Sequence, residues 1–546
     1  MTKTERNDSN NQVSGARMRT KSAVVLCALG FSIGGFGPAL AAGNGPGPSS
    51  HSLAHSGKDA AADLALIDTV VVIYAENRSF DNLYGSFPGA NGVSKAAAST
   101  RLQRDRDGKP FRELPPIWDG LTAKGVTPPV TQAQTEHLPN RPFYLDDPKG
   151  FKLSYGTITH DLWHRFYQNQ MQINGGRNDK FVAHADSGAL VMSLWDGSKT
   201  AMWKVAEKYA LADNFFMGAF GGSFLNHQWL VCACAPTYPN ADTNPAKPSI
   251  SVVEADGVTL KEAANSPKSA VDGIPKYVSD GNLTPDFYAV NTMQPPYQPS
   301  GNDPAKDGDK AYADPTKPTT LPPQLEPTIG DMLSLKHVTW AWYGGAWQDV
   351  LDHGNKSPVP NFQYHHQALN YYASFAPGTA ARAEHLRDGG LAGSEFIKAI
   401  DDGKLPQVSF YKPQGDLNEH SGYADIQSGD AHVADLVAHL EKSPQWPHML
   451  VIVTYDENGG LWDHVAPPKG DRWGPGSRVP AIIVSPYARR GYVDHTPMDT
   501  TSILRFVTRR FELPTLHGIT VRDAAIAAHD QKPLGDLTSA LVLKAK

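Results

Sequence analysis

Cysteine is nearly absent from this chain: Cys27, Cys232 and Cys234 are the only three in 546 residues. Two cysteines one residue apart cannot build a framework of disulfides, so stability has to come from core packing. A basic excess is also missing, with 50 Lys and Arg against 56 Asp and Glu and a net charge of −6. That balance cannot neutralise a phosphate backbone, which excludes a dedicated nucleic-acid binder. Charged residues make up 19 % of the chain, below the roughly 25 % of an average soluble protein. There is no internal repeat and no apolar run long enough for a comfortable membrane span. Abundance lies elsewhere. The 49 glycines and 43 prolines are about 17 % of the chain against an average near 12 %, so long loops on a scaffold are expected. With 40 % hydrophobic and 9 % aromatic residues, a large buried core is assured.

The N-terminus reads as an export signal. Arg17, Arg19 and Lys21 precede an apolar run from Ala23 to Phe36, and Ala39-Leu40-Ala41 offers the small residues of a cleavage site. Because Arg17 and Arg19 are not adjacent, the general secretory route is expected rather than the twin-arginine one. A signal peptide over 1–41 would carry Cys27 away, put the protein in a periplasm or outside the cell, and leave no stable membrane anchor. Residues 42–62 read as a Gly/Pro/Ser/His linker. From 63 to 546 the pattern is that of one catalytic domain. Thr69–Tyr74, Val338–Trp342, Val408–Tyr411, Met449–Thr454 and Ala481–Val484 are short β-branched or aromatic runs expected as strands buried on both faces. Between them, Trp203, Val205, Ala206 and Tyr209, then Val433, Leu436, Val437 and Leu440, then Ile503, Leu504 and Val507 recur at helical spacing. The fold class predicted is α/β, a mainly parallel central sheet flanked by helices. Residues from about 235 to 335 are poor in periodicity and rich in Pro, Asp, Asn and Lys, which predicts a loop-rich insertion acting as a lid or rim.

Chemistry concentrates where strands end. The first strand runs into Glu76-Asn77, and the fourth into Asp456-Glu457; ligands bind at the carboxyl ends of strands in such sheets. Two strand ends presenting hard oxygen ligands predict a site for one divalent cation. Gly221-Gly222-Ser223 would let the backbone approach a ligand and put Ser223 at a helix N-terminus, where free amides favour an anion. An N-cap serine after a glycine turn is an equally good reading of that spacing. Twenty histidines, many in polar contexts such as Thr159-His160-Asp161, Tyr364-His365-His366, Glu419-His420 and Asp463-His464, could hold a metal or phosphate oxygens.

Together these segments resemble the phosphoesterase family that contains bacterial phospholipases C and AcpA-type acid phosphatases, within the alkaline phosphatase superfamily. The motifs are Tyr74-Ala75-Glu76-Asn77-Arg78-Ser79-Phe80-Asp81-Asn82, Ala212-Asp213-Asn214-Phe215-Phe216, Asn418-Glu419-His420 and Tyr455-Asp456-Glu457-Asn458-Gly459-Gly460-Leu461-Trp462-Asp463-His464-Val465. The Gly221-Gly222-Ser223 segment with His227-Gln228 resembles the acid phosphatase branch. The resemblance implies an alkaline-phosphatase-like fold and a secreted acid phosphatase that cleaves small phosphomonoesters through a phosphoserine at Ser223. Glu76, Asn77, Ser223, Asp456 and Glu457 would surround one metal ion. His160, His366 and His420 would bind phosphate oxygens or protonate the leaving alcohol, with His365 competing with its neighbour for that place. Asp463 and His464 would support the site from behind. The alternatives are a phospholipase C-type phosphodiesterase acting on phospholipid, a sulfatase, and a phosphate- or metal-binding protein without turnover. Sulfatase chemistry is disfavoured because Tyr238 stands where Cys234-Ala235-Pro236 would need an arginine two residues later. If protonated histidines meet the substrate, activity should peak on the acid side of neutrality.

Overall fold

The computed structural model describes residues 64–354 and 361–543. The expected signal peptide, Cys27 and the linker lie outside the described residues. Eight strands form the central sheet: β1 Thr69–Ala75, β2 Ala210–Ala212, β3 Trp340–Gly345, β4 Leu386–Gly390, β5 Val408–Lys412, β6 Met449–Tyr455, β7 Ala481–Val484 and β8 Tyr492–Asp494. Their spatial order is β8-β2-β7-β6-β1-β5-β3-β4. All neighbours run parallel except β7, which is antiparallel to both β2 and β6. The sheet is therefore mixed and mostly parallel. Every residue of β1 and of β6 is buried, which explains their unbroken apolar runs: a central strand has no solvent face to alternate with. Where the sequence begins a strand at Val338, pairing begins two residues later at Trp340.

Six helices bear on the site: α1 Phe80–Tyr84, α2 Ala201–Lys208, α3 Ser223–Cys232, α4 Ile329–Leu335, α5 Ile426–Leu440 and α6 Thr500–Arg510. The apolar stripe of α2 packs on α5 and on strands β2 and β7, while α3 packs against α6 and α4. Thr200 and Asp425 cap α2 and α5 by accepting backbone hydrogen bonds, as expected of such residues at N-caps. Among the described residues no helix is long and apolar enough to cross a membrane.

The predicted insertion is irregular from 235 to 328, held by isolated bridges such as Val253 with Leu260 and Glu262 with Tyr277. Its far end is corrected by the structure: residues 329–335 are helix α4, started by a capping box between Thr328 and Asp331. Cys232 and Cys234 are joined in a disulfide at the end of α3. That bond consumes the cysteine on which a sulfatase would depend.

Candidate active site

The register of β1 with β6 builds the acidic half of the site. Ala75 pairs with Tyr455, so Glu76 and Asp456 leave the sheet side by side. Asp456 Oδ1 then accepts the backbone amides of Asn77 at 3.1 Å and Glu457 at 2.8 Å. Asn77 turns the chain with φ of 59°, a left-handed conformation that asparagine tolerates. Gly459 allows the second loop to close on the first, because a Cβ there would stand 2.6 Å from Asn77 O.

The serine half is placed by the glycine pair. A Cβ on Gly221 would meet Phe166 N, and one on Gly222 would meet His164 O, each at 2.5 Å. Only glycine lets these backbones touch, and the contact sets the first residue of α3, Ser223, beside His164. Ser223 Oγ donates to Glu76 Oε2 at 2.9 Å and lies 3.3 Å from Asn77 Oδ1 and 3.4 Å from Glu457 Oε1. The expected grouping of Glu76, Asn77, Ser223, Asp456 and Glu457 is thus a geometric fact. Above it opens a pocket of about 320 Å³ lined by Ser223, His164, His365, His420, Asp161 and Tyr423 among others; Asn291 and Thr292 bring the insertion to its rim.

The histidines are arranged differently from the expectation. His160 does not line the pocket, and its amide donates to Leu121 O. His164, four residues on, takes the place, with Nε2 3.8 Å from Glu457 Oε1 and Nδ1 held by Leu162 O at 2.6 Å. His365 and His366 are both near, at different depths. His365 lines the pocket, whereas His366 lies beneath it with Nε2 2.8 Å from Glu76 Oε1. Burial lowers the His366 pKa to about 4 and also pulls down His365, His227 and His420. Burial therefore works against the protonated form of all four rings in the free protein. Asp463 and His464 do not touch the Ser223 group. Arg478 holds Asp463 at 2.8 Å and Asp81 at 3.2 Å, and His464 Nδ1 meets Asp81 at 2.6 Å. Their buried network ties the start of α1 to the loop after β6.

Two residues at the centre escaped the sequence reading as site residues. His227, one turn along α3 from Ser223, gives its Nδ1 proton to Ser223 O at 2.8 Å, leaving a buried Nε2 without a hydrogen-bond partner. Lys412, the last residue of β5, binds Glu76 Oε1 with its ammonium.

The donor set fits a cation. Burial works to raise the Glu76 pKa, but Lys412, His366 and His227 outweigh it and hold the carboxyl well below its usual range. Burial and then the Glu76 charge push Asp456 well up; burial and then Asp456 do the same to Glu457. Three stacked carboxyls of this kind call for positive charge between them. Asp456 Oδ2 is buried with no hydrogen-bond partner. The Asn77 amide sits at the same focus: one end is 2.9 Å from Glu76 Oε2 and 2.8 Å from Glu457 Oε1, and the other is 2.9 Å from His420 Nε2. With its NH₂ toward the carboxylates the amide donates to both and accepts from His420; turned the other way, its oxygen joins theirs as a ligand to a cation. Oxygen–oxygen edges of about 3 Å are those of a shell with ~2.1 Å metal–oxygen bonds.

The chain is similar to several known proteins. Phospholipase C A of Mycobacterium tuberculosis is 23% identical over 509 residues, covering 87% of this chain and 77% of that protein. Non-specific phospholipase C1 of Arabidopsis thaliana is 34% identical over 187 residues, 28% of this chain and 34% of that protein. Among solved structures, a protein in the alkaline phosphatase superfamily from Vibrio parahaemolyticus aligns over 69% of this chain and 68% of its own, with 9% identity and a TM-score of 0.29. The Phosphoesterase family model matches residues 67–514, and with the acidic strand ends, Ser223 and the pocket histidines inside that span, the chain belongs to the Phosphoesterase family.

Proposed function

We propose that this phosphoester hydrolase is a secreted, metal-dependent acid phosphatase that cleaves phosphomonoesters through a phosphoserine at Ser223. The observation that carries the reading is Ser223 Oγ at the focus of Glu76, Asn77 and Glu457, on the first residue of a helix and on the floor of a pocket. Glu76, Asn77, Asp456, Glu457 and Ser223 would hold one divalent cation. When bound, it supplies Lewis-acid polarisation of a phosphoryl oxygen and lowers the pKa of the serine hydroxyl.

The chain's own groups do the rest. Glu76, kept ionised by Lys412, accepts the hydrogen bond from Ser223 Oγ and orients it. Free amides at the start of α3 receive phosphoryl oxygens. Ser223 Oγ passes its proton to Glu76 Oε2 and forms a bond to phosphorus as the bond to the leaving oxygen breaks, while His164 at the pocket wall gives that oxygen a proton. Water then cleaves the serine–phosphorus ester, His164 taking a proton from the water and Glu76 returning the proton to the serine. His365 sits where it can contact the phosphate or the leaving group, while His420 acts through Asn77.

A pocket of about 320 Å³ is at the small end for ligand sites and suits a phosphoryl group with a compact alcohol. The second reading, a phospholipase C-type phosphodiesterase on phospholipid, is favoured by the names of the relatives. Turnover of p-nitrophenyl phosphate, bis-p-nitrophenyl phosphate and phosphatidylcholine under one metal condition separates them. The monoesterase reading expects the highest kcat/KM on the first; a preference for phosphatidylcholine with release of phosphocholine would replace it with the second.

A further inference from the structure

The two oxygens of Glu76 face opposite chemistry. Oε2 meets Ser223 Oγ at 2.9 Å and the Asn77 amide at 2.9 Å. Oε1 turns away from them toward the Lys412 ammonium, His366 Nε2 at 2.8 Å and His227 Nε2 at 4.0 Å. Lys412 ends β5, whose Tyr411 is paired with Ile73 of β1, so the ladder fixes the separation of the two side chains. Its ammonium is buried and sits 5.4 Å from the Tyr74 ring centroid. A buried cation next to a cation site is an expensive placement unless its charge is used.

We propose that Lys412 is a positioning residue that turns Glu76 into a one-oxygen ligand and, by cancelling one of three carboxylate charges, tunes the site to divalent rather than trivalent cations. The inference rests on the cation reading above. Glu76, Asp456 and Glu457 carry three negative charges when ionised, and Lys412 reduces them to two. Without it the site matches a trivalent ion, and Glu76 Oε1 is released to bind as well. Loss of one buried charge a few ångströms away changes the relative affinity for ions differing by one charge by roughly 10- to 100-fold.

The test is cation binding by the full chain, stripped with chelator and checked for folding by circular dichroism. Wild type, K412M, K412Q and K412R are titrated with Mg²⁺ and, by sensitised luminescence, with Tb³⁺. The Tb³⁺-to-Mg²⁺ affinity ratio should rise at least tenfold in K412M and K412Q and stay within a few-fold of wild type in K412R. An unchanged ratio in whichever neutral variant folds overturns the inference while leaving the cation site standing. Failure of wild type to bind either ion removes the cation reading itself.

Discussion

Glu419 stands next to a pocket histidine, yet its carboxyl never reaches the pocket. It is 1% exposed, and the Tyr455 hydroxyl lies 3.1 Å from each of its oxygens. Burial, and then the Asp430 charge, raise its pKa to about 8 against the opposing pull of Arg78. An unfolded glutamate titrates near ~4.3. Between those values the folded protein keeps a proton that the unfolded chain has lost, so stability falls as pH rises. The contribution is complete below about pH 4 and is lost as pH climbs to 8. At pH 7 the difference of about 2.7 pH units is worth about 3.7 kcal/mol at 1.36 kcal/mol per unit. Glu419→Gln keeps an acceptor for the Tyr455 hydroxyl and has no proton to lose. It should therefore leave stability unchanged near pH 4 and raise it by up to about 3 kcal/mol at pH 7. For a folded unit of roughly 480 residues that is about 3 °C in Tm. Thermal unfolding of both proteins across pH 4.5 to 8.5 is the assay. A Tm difference that does not grow with pH, or a variant destabilised by the same amount throughout, refutes the reasoning.

Two further outcomes follow from the site. His164→Asn should lower turnover of an alkyl phosphate by about 10²–10⁴-fold and that of p-nitrophenyl phosphate much less, because a good leaving group needs no proton. His160→Asn should leave both near wild type; steady-state kinetics on the two substrates decides, and equal losses in the two variants would contradict the placement. Glu76→Ala and Asp456→Ala should each lose bound metal on elemental analysis, and chelation should abolish wild-type activity; full metal occupancy in either variant would mean a different site.

Much of this architecture was legible in the chain because buried parallel strands leave unbroken apolar runs, as in Thr69–Ala75 and Met449–Tyr455. Polar residues directly after those runs then mark the strand ends. His227 was legible in principle: it lies four residues after Ser223 on one helix, and that spacing shares a face. Lys412 also carried a signal, as a lone charge closing the buried run Val408–Tyr411. The choice between His160 and His164 carried none. Both lie in irregular backbone, where no periodicity assigns a face, and only the packing of Gly222 on His164 O selects the second. The direction of the histidine shifts was not legible for a related reason. Charge neighbours can be guessed from motifs, but burial, which dominates the shift at His366, belongs to the folded packing.

The central claim is covalent chemistry at Ser223, and acid-quenched turnover tests it most directly. Wild type mixed with excess p-nitrophenyl phosphate and divalent metal is quenched within the first turnovers, digested, and searched for phosphate by peptide mass spectrometry. The account predicts phosphate on Ser223, and a folded, metal-binding Ser223→Ala variant with neither the adduct nor appreciable turnover. Phosphate on another residue, or near-normal turnover in that variant, would contradict it.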